Sequence, residues 1–377
     1  MSAVGLAGST TADPLLRLLS HGFSMGCHRP PDAVWRAPYA FRVSASACQA
    51  SAAAFRDTSA APRASAPAFQ GSASAVPPGP PGTGPAPGTD WFGAAGHYVD
   101  VAVAPRADGM LRCASLNHPA ETAELPLTGP AARAPDWAAR PYAVLRSLAA
   151  AGCGRGGADL QLNAPLPEAV GLPVAEPLEC AVALAVSGVH AGRGGDPPTR
   201  PQLARLLGAA VPGDDGLRRA VLFARAGHLL AADGHTHLPL RAPDSARDAC
   251  LLLLTARPTA SRDADTGDAA PATTPTLTTI ATPASATPDT PTAPAPASSP
   301  STELATGLAA AVREALRAGA WSAWWPGTRP GRSVLLLVPP DRRAAVRSAT
   351  AEAFRRCDLP VPRLLRINVV DAARREA

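Results

Sequence analysis

The chain has 377 residues, 46% of them hydrophobic but only 4% aromatic, with a formal net charge of +5; that leaves room for two domains or one bilobal body, and much of the apolar content is Ala, which buries little surface per residue. All 35 basic residues are Arg, which excludes a lysine-based phosphate loop and a Schiff-base mechanism, and their even spread, with no basic run, argues against nucleic acid as a partner. The seven Cys never stand in Cys-x-x-Cys spacing and read as free thiols, and without a leader or a run of about 18 apolar residues the expectation is a cytoplasmic protein with no membrane partner.

In chain order, the first distinctive stretch is residues 53–90, Ala/Ser/Pro/Gly-rich and too poor in large apolar side chains to offset the entropy of ordering; it reads as a disordered insert. Ala158–Asn163 (ADLQLN) alternates like a strand, and Pro177–Val189 is apolar at helical spacing with Glu179 near its start. Gly227–Leu240 carries two apolar runs around Asp233-Gly234, a hairpin signal. Within it His235-x-His237 with Asp233 has no third ligand at defined spacing, so no metal is expected. Residues 258–303, rich in Thr, Pro and Ala, read as a disordered linker. Val334–Val338 predicts a buried strand, Arg342–Arg356 an amphipathic helix and Leu364–Val370 a closing strand. Strands mixed with helices and hairpins predict an α+β fold.

The order of these segments carries more information than any one of them. Pro31–Pro38 (PDAVWRAP), Val101–Ser115, Gly156–Asn163, Gly171-Leu172 with Leu178–Ala185, Pro201–Leu206, Arg225–Leu230, Leu251–Arg257 and then 303–366 follow each other at the spacing of actinobacterial galactokinases. Over about two-thirds of its length the chain thus resembles the galactokinase branch of the GHMP small-molecule kinases. The resemblance implies a bilobal fold: 1–52 and 91–210 in the N-terminal lobe around the 53–90 insert, 211–257 opening the C-terminal lobe, the linker 258–303, and 304–377 completing that lobe. It also implies a cleft that takes a nucleotide and a sugar.

Three signatures carry the chemistry in that family, and here each is altered. The first, Gly-Arg-Val-Asn-Leu-Ile-Gly-Glu-His-Thr-Asp-Tyr, falls on Tyr39–Ala50: its Arg lands on Ala40, its Glu-His pair on Ser46-Ala47 and its Asp on Gln49. Residues 39–95 match poorly as a block, through divergence or a frameshift. The second, Gly-Leu-Ser-Ser-Ser-Ala-Ala-Leu-Glu, reads Gly171-Leu172-Pro173-Val174-Ala175-Glu176-Pro177-Leu178-Glu179. Its three hydroxyls are gone, two prolines remove N–H donors, and Glu176 adds negative charge where phosphate would sit. The family's catalytic Asp falls on Leu217, beside Arg218; Asp214 and Asp215 are within a short shift and are the candidates for that role. The third, Thr-Gly-Gly-Gly-Phe-Gly-Gly, has become Pro326–Arg332, with two glycines left, Gly327 and Gly331.

The degenerate phosphate loops are therefore Gly171, Leu172, Glu179, Gly327 and Gly331. Trp321, Trp324 and Trp325, with Arg329 and Arg332, either pack internally or form an interaction surface. The expectation is a catalytically degenerate galactokinase-like pseudokinase that needs no cofactor, has a regulatory or interaction role and an unknown protein partner, and retains at most weak affinity for galactose or another sugar. The alternative is an active galactokinase or related GHMP kinase using Mg-ATP.

Overall fold

The computed structural model describes residues 13–43, 90–165, 171–191, 197–240, 250–257, 302–327 and 331–376. The first element, α1 (Pro14–Cys27), has a complete start signal: Asp13 caps it by accepting from the Leu15 N–H at 2.9 Å, and Pro14 opens the first turn. Leu16, Leu19 and Phe23 recur on one face and are buried, and the helix stops at His28 in the left-handed region.

The N-terminal lobe is an eight-stranded sheet with a main path β12-β1-β2-β5-β3-β4 and the β6-β7 hairpin attached to β2. Its members are β1 (Ala33–Val43), β2 (Trp91–Pro105), β3 (Met110–Ser115), β4 (His118–Pro126), β5 (Gly157–Asn163), β6 (His228–Ala231), β7 (His237–Pro239) and β12 (Arg374–Glu376). β1 and β2 pair antiparallel from Ala33↔Val103 to Val43↔Trp91, with one bulge at Pro38/Tyr39. Residues 39–43 and 91–95, which match the family poorly, are thus in register and, except for Arg42, buried. Four helices join this lobe: α2 (Asp136–Ala150), α3 (Ala175–His190), α4 (Arg200–Ala210) and α5 (Asp215–Phe223).

The C-terminal lobe is a four-stranded antiparallel sheet ordered β11-β8-β10-β9, from β8 (Cys250–Thr255), β9 (Ser322–Trp324), β10 (Ser333–Val338) and β11 (Arg363–Ile367). Its helices are α6 (Thr302–Arg317) and α7 (Arg343–Arg356). β8 and β10 are apolar on both faces because both are covered. Leu251, Leu253, Leu335 and Leu337 join the core of the N-terminal lobe, while Leu252, Leu254, Val334 and Leu336 pack under Leu304, Leu308 and Phe354 of the two helices. The predicted bilobal α+β architecture, the strands at 158–163 and 334–338, the helices at 177–189 and 342–356 and the 227–240 hairpin are all present.

Three expectations need correction. Residues 211–240, assigned to the start of the C-terminal lobe, belong to the N-terminal one: α5 packs on β1 and β2, and β6 hydrogen-bonds β2. The chain does not close with 364–370, because β12 follows and returns to the edge of β1. Thr302 and Glu303, placed in the linker, already belong to α6, where Glu303 complements the helix dipole. The disordered reading of 53–89 and 258–301 concerns residues outside those described. Among the described residues no helix is long and apolar enough to cross a membrane.

Candidate functional site

The segment that resembles a phosphate loop sits where the lobes meet. Gly171 has φ +81, and a Cβ there would lie 2.9 Å from the Ser333 side chain of β10. Glycine is thus required twice over, by its left-handed backbone and by the approach of the other lobe. From the opposite side Gly327 faces Pro173, 3.7 Å from the position of an added Cβ. The segments read as the second and third signatures therefore converge. Gly331 has nothing within 4 Å of such a Cβ. Arg332 is half-buried, and its carbonyl accepts from the Ala256 N–H at 2.9 Å. Arg329 is outside the described residues.

The start of α3 offers little to an anion. Its N-cap, Val174, has no side-chain acceptor, and of its first three residues, Ala175, Glu176 and Pro177, the proline lacks an N–H. Two carboxylates occupy the first turns instead. Glu176 is buried and accepts from the Asp214 N–H at 3.0 Å. Glu179, at 0% exposure, accepts from Arg218 Nε at 2.9 Å through one oxygen and from Arg140 through the other. Arg218, 1% exposed, also donates to Asp215 at 2.8 Å and to the Val211 carbonyl at 2.6 Å. Burial pushes the Glu179 carboxyl upward, and the Arg218 and Arg140 guanidiniums pull it back. The cluster ties α2, α3 and α5 together, and both Glu179 oxygens are used.

Asp214 and Asp215 are tied to the start of α3, the first through its N–H on Glu176 and the second through Arg218. Asp214 is the N-cap of α5, accepting from Gly216 N at 2.8 Å and Leu217 N at 3.2 Å. Asp215 is exposed, holds Arg218, and faces a separate groove with Arg205, Arg219 and Asp233. Within the hairpin, Asp233 closes the turn through the His235 and Thr236 N–H groups, and both ring nitrogens of His237 face carbonyl oxygens. The first signature fares no differently. Ala40 is fully buried in β1, Arg42 pairs with Asp90, and Ser46, Ala47 and Gln49 lie outside the described residues. Trp321 and Trp325 are half-buried, one against the shared core and the other against the C-terminal core, and Trp324 is 8% exposed.

Sequence reasoning missed the cleft beside the start of α3. It measures ≈ 420 Å³ and is bounded by Ser115, Asn117 and His118 of the β3–β4 turn, Trp137 and Arg140 of α2, and Val174 and Leu178 of α3. His118 and Trp137 stack with centroids 5.6 Å apart and planes at 12°, and the indole N–H donates to Glu121 at 2.7 Å. Arg140, its cation, is held by Glu179. No local pattern announces this site, which is assembled from segments far apart in the chain.

No family model matches the sequence, and no curated protein is similar to it by sequence. Solved structures are similar in fold. The galactokinase of Lactococcus lactis, determined in complex with galactose, superposes with a TM-score of 0.58 at 12% identity, covering 96% of this chain and 99% of that one. The Lin0012 protein of Listeria innocua superposes with a TM-score of 0.50 at 7% identity, covering 91% and 99%. The chain thus has a bilobal GHMP-kinase-like fold.

Proposed function

We propose that this chain uses its GHMP-kinase-like fold as a catalytically degenerate, galactokinase-like protein. It acts through contact with another protein or weak ligand sensing, in a reducing, cytoplasmic setting where its thiols stay free. The observation that carries this reading is the start of α3. Pro173 and Pro177 supply no N–H, and Glu176, buried in the first turn, sets the protein's own carboxylate at the positive end of the helix. A triphosphate brought there meets the Glu176 carboxylate and a helix start short of N–H donors. Removing one preorganised donor or charge around a reacting group typically costs about 3 kcal/mol of transition-state stabilisation, so several losses together remove many decades of rate. The residue in the family's catalytic slot, Leu217, is buried and apolar, and the candidate acids Asp214 and Asp215 are held as a helix cap and an ion pair.

The test is ADP release by the purified full chain with galactose and Mg-ATP, alongside thermal shifts with nucleotide and sugar separately. The reading predicts no turnover above buffer. Turnover that requires both galactose and Mg²⁺ would make the chain an active sugar kinase and would refute it.

A further inference from the structure

Most open sheet edges among the described residues are blunted. β7, β9 and β12 are three residues long, β7 ends in Pro239, and in β12 Arg374 pairs with Glu376 at 2.9 Å. β4 is longer but carries Pro119, which has no N–H to offer a further strand, and its Glu124 and Glu121 are engaged by Arg112 and Trp137. β11 is the exception. Its five residues, Arg363–Ile367, contain no proline, lie at the end of the sheet and pair with β8 in unbroken register from Arg363↔Thr255 to Ile367↔Leu251. In an antiparallel pair every second residue of an edge strand turns its N–H and C=O away from the neighbour, and no strand among the described residues pairs with that side of β11.

The charges on this edge have one sign. Arg363 and Arg366 are exposed and have no ion-pair partner among the described residues, and neither β11 nor β8 contains an acidic residue. Between them Leu364 and Leu365 are half-buried, one against the C-terminal core and the other against the shared core, so each face of the sheet ends in a partly open leucine. Charged residues commonly guard an edge against a second copy of the chain. Here the guard is selective. Antiparallel pairing of two β11 edges centred on the leucines sets arginine against arginine, whereas a strand with carboxylates in those places gains charge-assisted pairs. We propose that the outer edge of β11 binds an extended acidic segment of another protein by strand addition. Two carboxylates three residues apart lie opposite Arg363 and Arg366, and apolar residues lie opposite Leu364 and Leu365. Main-chain hydrogen bonds supply the affinity, and the two arginines select the sequence. This gives the protein-contact reading above a partner of stated chemistry, and ADP release by the chain would leave it standing.

The test is calorimetric titration of the full chain with acetyl-Thr-Glu-Val-Val-Glu-Thr-amide, with its Gln-Val-Val-Gln counterpart, and with two versions N-methylated at alternate residues. Alternate N–H groups of a strand point to opposite sides, so one methylation pattern blocks the edge and the other faces away from it. The expected result is saturable binding of the acidic peptide, retained by one methylated version and lost by the other. The glutamine peptide is expected to bind about tenfold more weakly, because charge-assisted hydrogen bonds are roughly twice as strong as neutral ones. R363Q/R366Q should show a similar loss; both arginines are exposed, and an unchanged melting temperature will show that this variant is folded. An equal response to the two methylated peptides would reduce the contact to charge attraction and overturn the proposal. Equal binding of the acidic and glutamine peptides, full affinity in R363Q/R366Q, or no saturation by about 10 mM peptide, above the ~1 mM constants of weak complexes, would overturn it too.

Discussion

Glu179, the acidic residue that ends the second signature, keeps its identity here and spends its oxygens inside the protein. Its carboxylate is enclosed by Arg218 and Arg140 and has no accessible oxygen left for a ligand. Breaking a buried pair from one side leaves the other charge stranded, so E179A is expected to lower unfolding stability by about 3–5 kcal/mol, read from the denaturation midpoint. A variant as stable as the parent would show that the pair holds nothing together. Gly171 gives a second residue-scale prediction. An alanine there must adopt a left-handed backbone and displace Ser333, so G171A is expected to cost about 1–3 kcal/mol. The sequence makes plain that 173–175, read as that signature, carry no hydroxyl. It does not reveal the partner of Glu179, because Arg218 lies 39 residues away and the pair exists only after folding.

Among the elements, α1 combines a readable start with an unreadable role. Asp13, Pro14 and the leucine spacing specify a helix locally. What α1 covers is less obvious. In β5 the alternation ADLQLN suggests a polar face toward water, yet Asp159, Gln161 and Asn163 are all buried. α1 packs over that strand, while Arg29 at 2.6 Å and Arg106 at 2.7 Å satisfy Asp159. The alternation marks the strand, and only the packing of α1 shows that its polar face is buried as well. β12 was invisible for the opposite reason: Arg-Arg-Glu has no apolar pattern, and only its pairing with β1 makes it a strand. The hydrogen bond from Arg36 holds the Asp13 carboxyl below its ordinary 3.8, with slight burial opposing it. A carboxylate depressed in the folded state adds stability above its unfolded pKa and loses it as pH falls through the folded value. D13A is therefore expected to cost about 1 kcal/mol at neutral pH through the lost cap. Its stability should then depend less on pH below about pH 4 than the parent's. Identical acid limbs in the two proteins would contradict the Asp13–Arg36 tether.

At the scale of the whole molecule, the collinear order of weak segments led to the correct bilobal fold where no single motif sufficed. Framework strands such as β8 and β10 have two-sided burial, and the start of α3 at the lobe junction carries Pro173, Glu176 and Pro177. The part of the site that was illegible is the cleft edged by His118 and Trp137, whose walls come from the β3–β4 turn, α2 and α3. The central claim is that the lobe junction has lost its hold on a triphosphate. Calorimetric titration of the full chain with the β,γ-imido analogue of ATP, with and without Mg²⁺, tests it most directly. The prediction is no magnesium-dependent heat up to about 1 mM analogue. Saturable binding that appears only when Mg²⁺ is added would contradict it.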